Sequence, residues 1–205
     1  MSLSAHPSVG VLSDYASGAL HTAPGVVVLA HLQFCTCCQG AVRTFEEVGG
    51  ALLHAAPPER MGLAALGRVL KGIEDVQPTR ARPGSRRRAR TFSRRVVGIE
   101  LGARRFLAPG RWFVTLRASQ RRNWRLYMLR APAGPQHAAW PGGAMVCVLD
   151  GGFRRGGRSY RVGDFAAFPQ GSRRRLAVIS GGAFVAIVAA KRSWAATQLW
   201  GANSS

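Results

Sequence analysis

The chain has 205 residues, 47% of them hydrophobic, and sets 29 Lys and Arg against 9 Asp and Glu. That is enough apolar material for a buried core in one or two domains and excludes a wholly disordered chain. The net charge of +20 is unevenly spread, because residues 1–75 carry four basic and six acidic side chains while the other 130 carry 25 basic and three acidic. A step of that size places a domain boundary near residue 76. Of the basic residues 27 are Arg, which reads either as selection for bidentate phosphate or carboxylate contacts or as codon usage in a GC-rich genome. No apolar run reaches the ~18–20 residues of a membrane span. The start, Met-Ser-Leu-Ser-Ala-His-Pro, lacks a basic n-region and an apolar h-region, so a cytoplasmic chain without membrane contact is expected.

In chain order, Val11, Leu12, Tyr15, Ala16, Ala19 and Leu20 recur at three- and four-residue steps and predict an amphipathic helix over 9–20, with Ser8 as its N-cap. Pro24 suits a first turn, and a second, longer helix is predicted from there to about Val48, before Gly49-Gly50. A third, from about Pro58 to Ile73, offers Met61, Leu63, Leu66, Val69, Leu70 and Ile73 as an apolar stripe. Residues 77–95 hold two prolines and eight arginines (Arg80, Arg82, Arg86, Arg87, Arg88, Arg90, Arg94, Arg95) and read as a solvated linker. Beyond them come short apolar runs between turns: Val96–Ile99, Trp112–Leu116, Leu126–Leu129, Met145–Leu149, Phe165–Phe168, Leu176–Ile179 and Phe184–Val188. That spacing predicts an all-β barrel or sandwich over 96–205.

Three of the four cysteines, Cys35, Cys37 and Cys38, fall within four residues, and Cys147 stands apart. The grouping suits a metal or redox site in a reducing compartment better than a disulfide framework. On a continuous helix His31, Cys35 and Cys38 would lie at about 0°, 40° and −20°, on one face, with Cys37 at about −120°. One imidazole and two thiolates make a partial zinc shell that a fourth ligand would close, and His6, ahead of the first helix, is free to supply it. The alternative is an ordinary core histidine with two buried thiols. A small module with a thin core favours the metal, which would staple it. His21 and His54 fit no ligand spacing and read as loop or surface histidines.

The run His6-Pro7-Ser8, then Leu12-x-x-Tyr15-Ala16-x-Gly18-x-Leu20, then Val28-x-x-His31-Leu32-x-x-Cys35-x-x-Cys38, closing with Glu47-x-Gly49-Gly50-x-Leu52-Leu53, resembles the zinc-binding anti-sigma domain of ChrR-type proteins over about fifty residues. The resemblance implies an α + β two-domain chain: a small helical zinc-binding bundle at 1–76, the Arg-rich linker at 77–95, and a cupin-like β-barrel at 96–205. It also implies one zinc ion on His6, His31, Cys35 and Cys38, and an extracytoplasmic-function sigma factor as the partner, held inactive in the cytoplasm until a stress signal. Cys37 departs from the pattern and is either a resolving thiol under oxidation or an inert small side chain. Leu63, Leu66, Val69 and Leu70 are the candidate partner surface, with simple bundle packing as the alternative.

Cupins are marked by G-x5-H-x-H-x3,4-E-x6-G and G-x5-P-x-G-x2-H. The second motif fits Gly163, Pro169 and Gly171, but Arg174 stands at the ligand His. In the first, Gly151 puts the Glu position at Ala144 and the His positions at His137 and Ala139, or at Ala138 and Trp140 with the other spacing. Alanine has no donor atom and a guanidinium would repel a cation, so no metal and no metalloenzyme activity is expected in this half, which then serves as a packed scaffold or binds an anion through Arg174. The Arg-rich clusters Arg121-Arg122-Asn123-Trp124-Arg125 and Arg173-Arg174-Arg175 leave a nucleic-acid-binding regulator as an alternative function, with a cupin-type metalloenzyme behind it.

Overall fold

A computed structural model describes residues 3–62, 64–74, 100–117, 123–136, 143–169, 176–179 and 181–191. Among them four helices come first: α1 (Val9–Ala16), α2 (Thr22–Leu32), α3 (Thr36–Ala55) and α4 (Ala65–Glu74). Ser8 caps α1, its side chain accepting from the Val11 N–H, and Gly18 ends it by turning the chain at φ +72°. The helix is therefore four residues shorter than its apolar spacing suggests.

The single long helix expected from Pro24 to Val48 is instead two. Helix α2 stops at Leu32, and Cys35, in extended conformation (φ −118°, ψ 100°), starts α3 with its own Sγ accepting from the Cys38 N–H. A sulfur acceptor there satisfies one of the free N–H groups of a helix N-terminus and lies at the positive end of the helix dipole. The third expected helix begins at Ala65 rather than near Pro58.

Ten strands follow among the described residues: β1 (Glu100–Ala108), β2 (Arg111–Arg117), β3 (Trp124–Ala131), β4 (Gly134–Gln136), β5 (Met145–Asp150), β6 (Gly152–Arg155), β7 (Arg158–Arg161), β8 (Phe165–Ala167), β9 (Leu176–Val178) and β10 (Phe184–Lys191). They form a six-stranded sheet in the order β1-β2-β3-β10-β5-β8 and a four-stranded sheet in the order β4-β9-β6-β7, antiparallel throughout. Among the described residues the strands make these two sheets rather than a closed barrel. The expected linker at 77–95 and the run Val96–Ile99 lie outside the described residues.

The two-residue period of a strand sorts the side chains of the large sheet onto two faces. Phe113, Tyr127, Leu129, Val146, Val148, Ala166, Ala186 and Val188 face the small sheet, where Phe153 and Val178 meet them. Val114, Leu116, Leu126, Met128, Cys147, Phe165, Ile187 and Ala189 face the other way and share a core with Leu12, Val27, Val28, Ala30, Leu32, Cys35 and Cys38 of the helices. Helix α2 lies against this second face, which explains why it is apolar nearly all round, with eight of its eleven residues buried.

Candidate metal centre

The break between α2 and α3 builds the site. His31 sits in the last turn of α2, Cys35 is the N-cap of α3, and Cys38 lies in the first turn of α3. The segment ahead of α1 brings in His6. The ligand atoms of His6, His31, Cys35 and Cys38 all lie within 4.8 Å of one another. His6 Nδ1 is 3.3 Å from Cys35 Sγ and 3.4 Å from Cys38 Sγ, and His31 Nε2 is 3.3 Å from Cys38 Sγ. The two imidazoles meet edge to face with centroids 5.5 Å apart. The grouping named in the sequence is thus brought together, by a turn between two helices and not by one helical face.

Each imidazole is fixed from its far side. His31 Nδ1–H donates to the Gly163 carbonyl at 2.7 Å, and His6 Nε2–H donates to the Leu3 carbonyl at 3.2 Å. A carbonyl can only accept, so each ring carries its proton on that nitrogen and turns the lone pair of the other toward the sulfurs. Burial foremost lowers the pKa of His31, with the hydrogen bond to Gly163 opposing it, which favours the neutral ring a metal needs. Burial, with the Cys35 sulfur alongside, pushes the Cys38 thiol up to about 12; a cation is what would let two adjacent sulfurs be anionic together. Two imidazole nitrogens and two sulfurs at these separations are compatible with one tetrahedral zinc ion.

Gly163 and Asp164, which the sequence did not mark as site residues, are integral to the site's surroundings. Asp164 is 2% exposed. Its carboxylate accepts from the Ser4 N–H at 2.9 Å, the Ala5 N–H at 3.1 Å, the Ser4 hydroxyl at 3.1 Å and the Arg161 N–H at 2.8 Å. Gly163 has φ +88°, and a Cβ on it would fall 2.8 Å from Phe34 Cβ and 2.9 Å from a Leu3 methyl. The cupin-type motif located Gly163; an aspartate next to it carried no signal of its own.

The remaining candidates are scattered. Cys37 is exposed, outside the cluster, and Cys147 is buried with its Sγ 3.9 Å from the Gly163 carbonyl; burial foremost, then Asp164, raises its pKa. His21 and His54 are exposed. Leu66, Val69 and Leu70 are 66%, 60% and 51% exposed, and Leu63 lies outside the described residues. Val48, Leu52 and Leu53 of α3, which the sequence does not mark as partner surface, are exposed too. Ala144 is buried in the core between the sheets, while His137, Ala139 and Arg174 lie outside the described residues. Among the described residues no helix is long and apolar enough to cross a membrane.

No family model matches the chain. Over 86 residues it is 31% identical to the anti-sigma-E factor ChrR of Cereibacter sphaeroides, a match covering 42% of this chain and 40% of that protein. The matched stretch is therefore less than half the length of the curated relative. A chain in the crystal structure of Rhodobacter sphaeroides SigE in complex with the anti-sigma ChrR superposes with a TM-score of 0.71 at 22% identity, covering 92% of this chain and 99% of that one. An RmlC-like cupin protein of Ralstonia eutropha JMP134 aligns with 45% of this chain and 63% of its own at 15% identity, with a TM-score of 0.36. With a helical end that carries a His and Cys cluster and an antiparallel β part after it, the chain is similar to the anti-sigma factor ChrR, in sequence over part of its length and in fold over most of it.

Proposed function

We propose that this chain is an anti-sigma factor that sequesters an extracytoplasmic-function sigma factor, its helices held by one zinc ion on His6, His31, Cys35 and Cys38. The observation that carries the reading is the four-donor cluster at the head of α3, in a helical part whose α3 and α4 also expose apolar residues. Leu66, Val69, Leu70 and Ile73 recur along one side of α4, and Val48 and Leu52 along one side of α3, all exposed. Uncovered apolar stripes on helices suit a partner that presents apolar helices of its own. Bound zinc supplies a rigid crosslink between the segment before α1, the end of α2 and the start of α3. The likeness to the anti-sigma-E factor ChrR supports a sigma factor as the class of partner.

The division at 1–76, 77–95 and 96–205 belongs to the same proposal, with the helical part binding the sigma factor in the cytoplasm and the β part acting as a non-catalytic, stress-responsive regulator. No metal is assigned to the β part, since Ala144, at the position of the cupin glutamate, offers no donor atom. The test is co-expression of the full chain with the extracytoplasmic-function sigma factors of its source organism. We expect a 1:1 complex with one of them, one zinc per chain, and loss of that sigma factor's transcription with core RNA polymerase. A folded, zinc-loaded chain that captures none of them and leaves transcription unchanged overturns the reading; tight binding to duplex DNA in its place would support a nucleic-acid regulator.

A further inference from the structure

Resting on the zinc reading above, we propose that the turn Arg161–Asp164 of the β part positions both imidazole ligands, so that metal retention and the docking of the helices on the sheet are coupled through Asp164. The four ligands fall into two pairs by what orients them. Cys35 and Cys38 are set by the N-terminus of α3 itself, where the Cys35 Sγ accepts from the Cys38 N–H. The imidazoles depend on a turn more than a hundred residues away in the chain. His31 is aimed by the Gly163 carbonyl. His6 directly follows Ser4 and Ala5, whose N–H groups end on the Asp164 carboxylate, and the Phe165 N–H donates to the Ala5 carbonyl at 3.0 Å. Arg158 adds a hydrogen bond from its guanidinium to the Ser4 carbonyl.

The turn is itself rigidly held. Asp164 Oδ2 takes the Arg161 N–H, the Asp164 N–H donates to the Arg161 carbonyl at 2.9 Å, the Gly163 N–H donates to the Val148 carbonyl at 2.9 Å, and the Val148 N–H donates to the Asp164 carbonyl at 3.2 Å. One carboxylate therefore shapes the turn that orients His31 and anchors the segment that carries His6. Loosening it misdirects both nitrogens while the sulfurs keep their places. Coupling is reciprocal for binding equilibria, so a change in the β part that moves this turn weakens the metal, and loss of the metal frees the turn.

The test compares the full-length chain with Asp164→Asn and with Asp150→Asn, an equivalent change at the exposed aspartate that ends β5, whose carboxylate accepts from the Gly151 N–H. In Asp164→Asn the carboxamide keeps the shape but sets N–H groups against N–H donors. Zinc transfer to 4-(2-pyridylazo)resorcinol is timed, and the visible absorption of the cobalt(II)-substituted protein is recorded as a signature of ligand geometry that a purely structural role would leave unmoved. We expect Asp164→Asn to release zinc about 10–100-fold faster, the range for groups that orient metal ligands, and to show an altered cobalt spectrum, with Asp150→Asn matching the wild type in both. A folded Asp164→Asn with wild-type release and spectrum overturns the proposal. If Asp164→Asn does not fold, Ser4→Ala decides, since it removes only the hydroxyl donor to Asp164: release faster by about fivefold, the worth of one hydrogen bond, supports the coupling, and unchanged release overturns it. A wild-type chain that takes up neither zinc nor cobalt overturns the zinc reading itself and this proposal with it.

Discussion

Cys35 has two roles that a substitution can separate. Its sulfur is one of the four clustered donors and also the N-cap of α3. Serine keeps a capping oxygen but is a poor zinc ligand, and alanine keeps neither. We expect Cys35→Ser and Cys35→Ala both to purify with well under one zinc per chain. In chelator, where no metal contributes, the serine variant should be the more stable by about 1 kcal/mol, the usual worth of an N-cap; equal urea midpoints would show that the cap contributes nothing. Gly163 makes a second prediction at this scale. A side chain there meets Phe34 and Leu3 below 3 Å and must adopt φ +88°. Gly163→Ala should cost about 1–3 kcal/mol, or roughly 2–12 °C in Tm for a chain of this size, measured by thermal denaturation of the zinc-loaded protein.

Whole helices carry the proposed partner surface. Only Cys38 and Val42 of α3 are buried, and no residue of α4 whose side chain is described is, so α3 beyond Val42 and all of α4 gain little from the fold around them. Leu66→Asp with Val69→Asp should therefore shift Tm by no more than about 2–4 °C, since each exposed position changes stability by about 0.5 kcal/mol or less, yet weaken a sigma-factor complex by a hundredfold or more if the stripe is buried there. Titration calorimetry with the captured sigma factor checks this, and unchanged affinity would move the interface elsewhere. The α4 stripe was legible because Leu66, Val69, Leu70 and Ile73 repeat with the period of a helix. The break at Gln33–Cys35 was not, because apolar spacing runs on through it and a cysteine N-cap has no marked pattern. Strands β2, β3, β5, β8 and β10 show as apolar runs, whereas β1 and the hairpin β6–β7 are rich in Arg, and only Gly156-Gly157, both at positive φ, marks their turn as a hairpin. That the large sheet is apolar on both faces was visible as continuous runs; that its outer face is covered by α2 was not, since no local pattern encodes a contact between α2 and β10.

For the molecule as a whole, two different kinds of support hold the helices in place. Helix α2 rests on the sheet through apolar burial, with Val27, Val28 and Ala30 at 0% exposure, and each fully buried aliphatic side chain contributes on the order of 1.5–3 kcal/mol. Helix α1 buries only Leu12, and α3 only Cys38 and Val42, so on the zinc proposal their positions depend far more on a metal crosslink from His6 to Cys35 and Cys38. Removing zinc should then act unevenly. We expect a chelator to raise hydrogen exchange in α1, in the first turns of α3 and in the Ser4–His6 segment, while β3, β5, β10 and the middle of α2 keep their protection. The thermal transition should split, a metal-dependent step moving to lower temperature and the unfolding of the sheet staying within a few degrees of its original position. A calorimetric scan with and without chelator, read together with exchange measured by mass spectrometry, distinguishes this from the alternative. If chelation instead lowers protection uniformly through the sheet and the single transition merely shifts, helices and sheets unfold as one unit, and apolar burial under α2 is too weak to hold the fold without its metal.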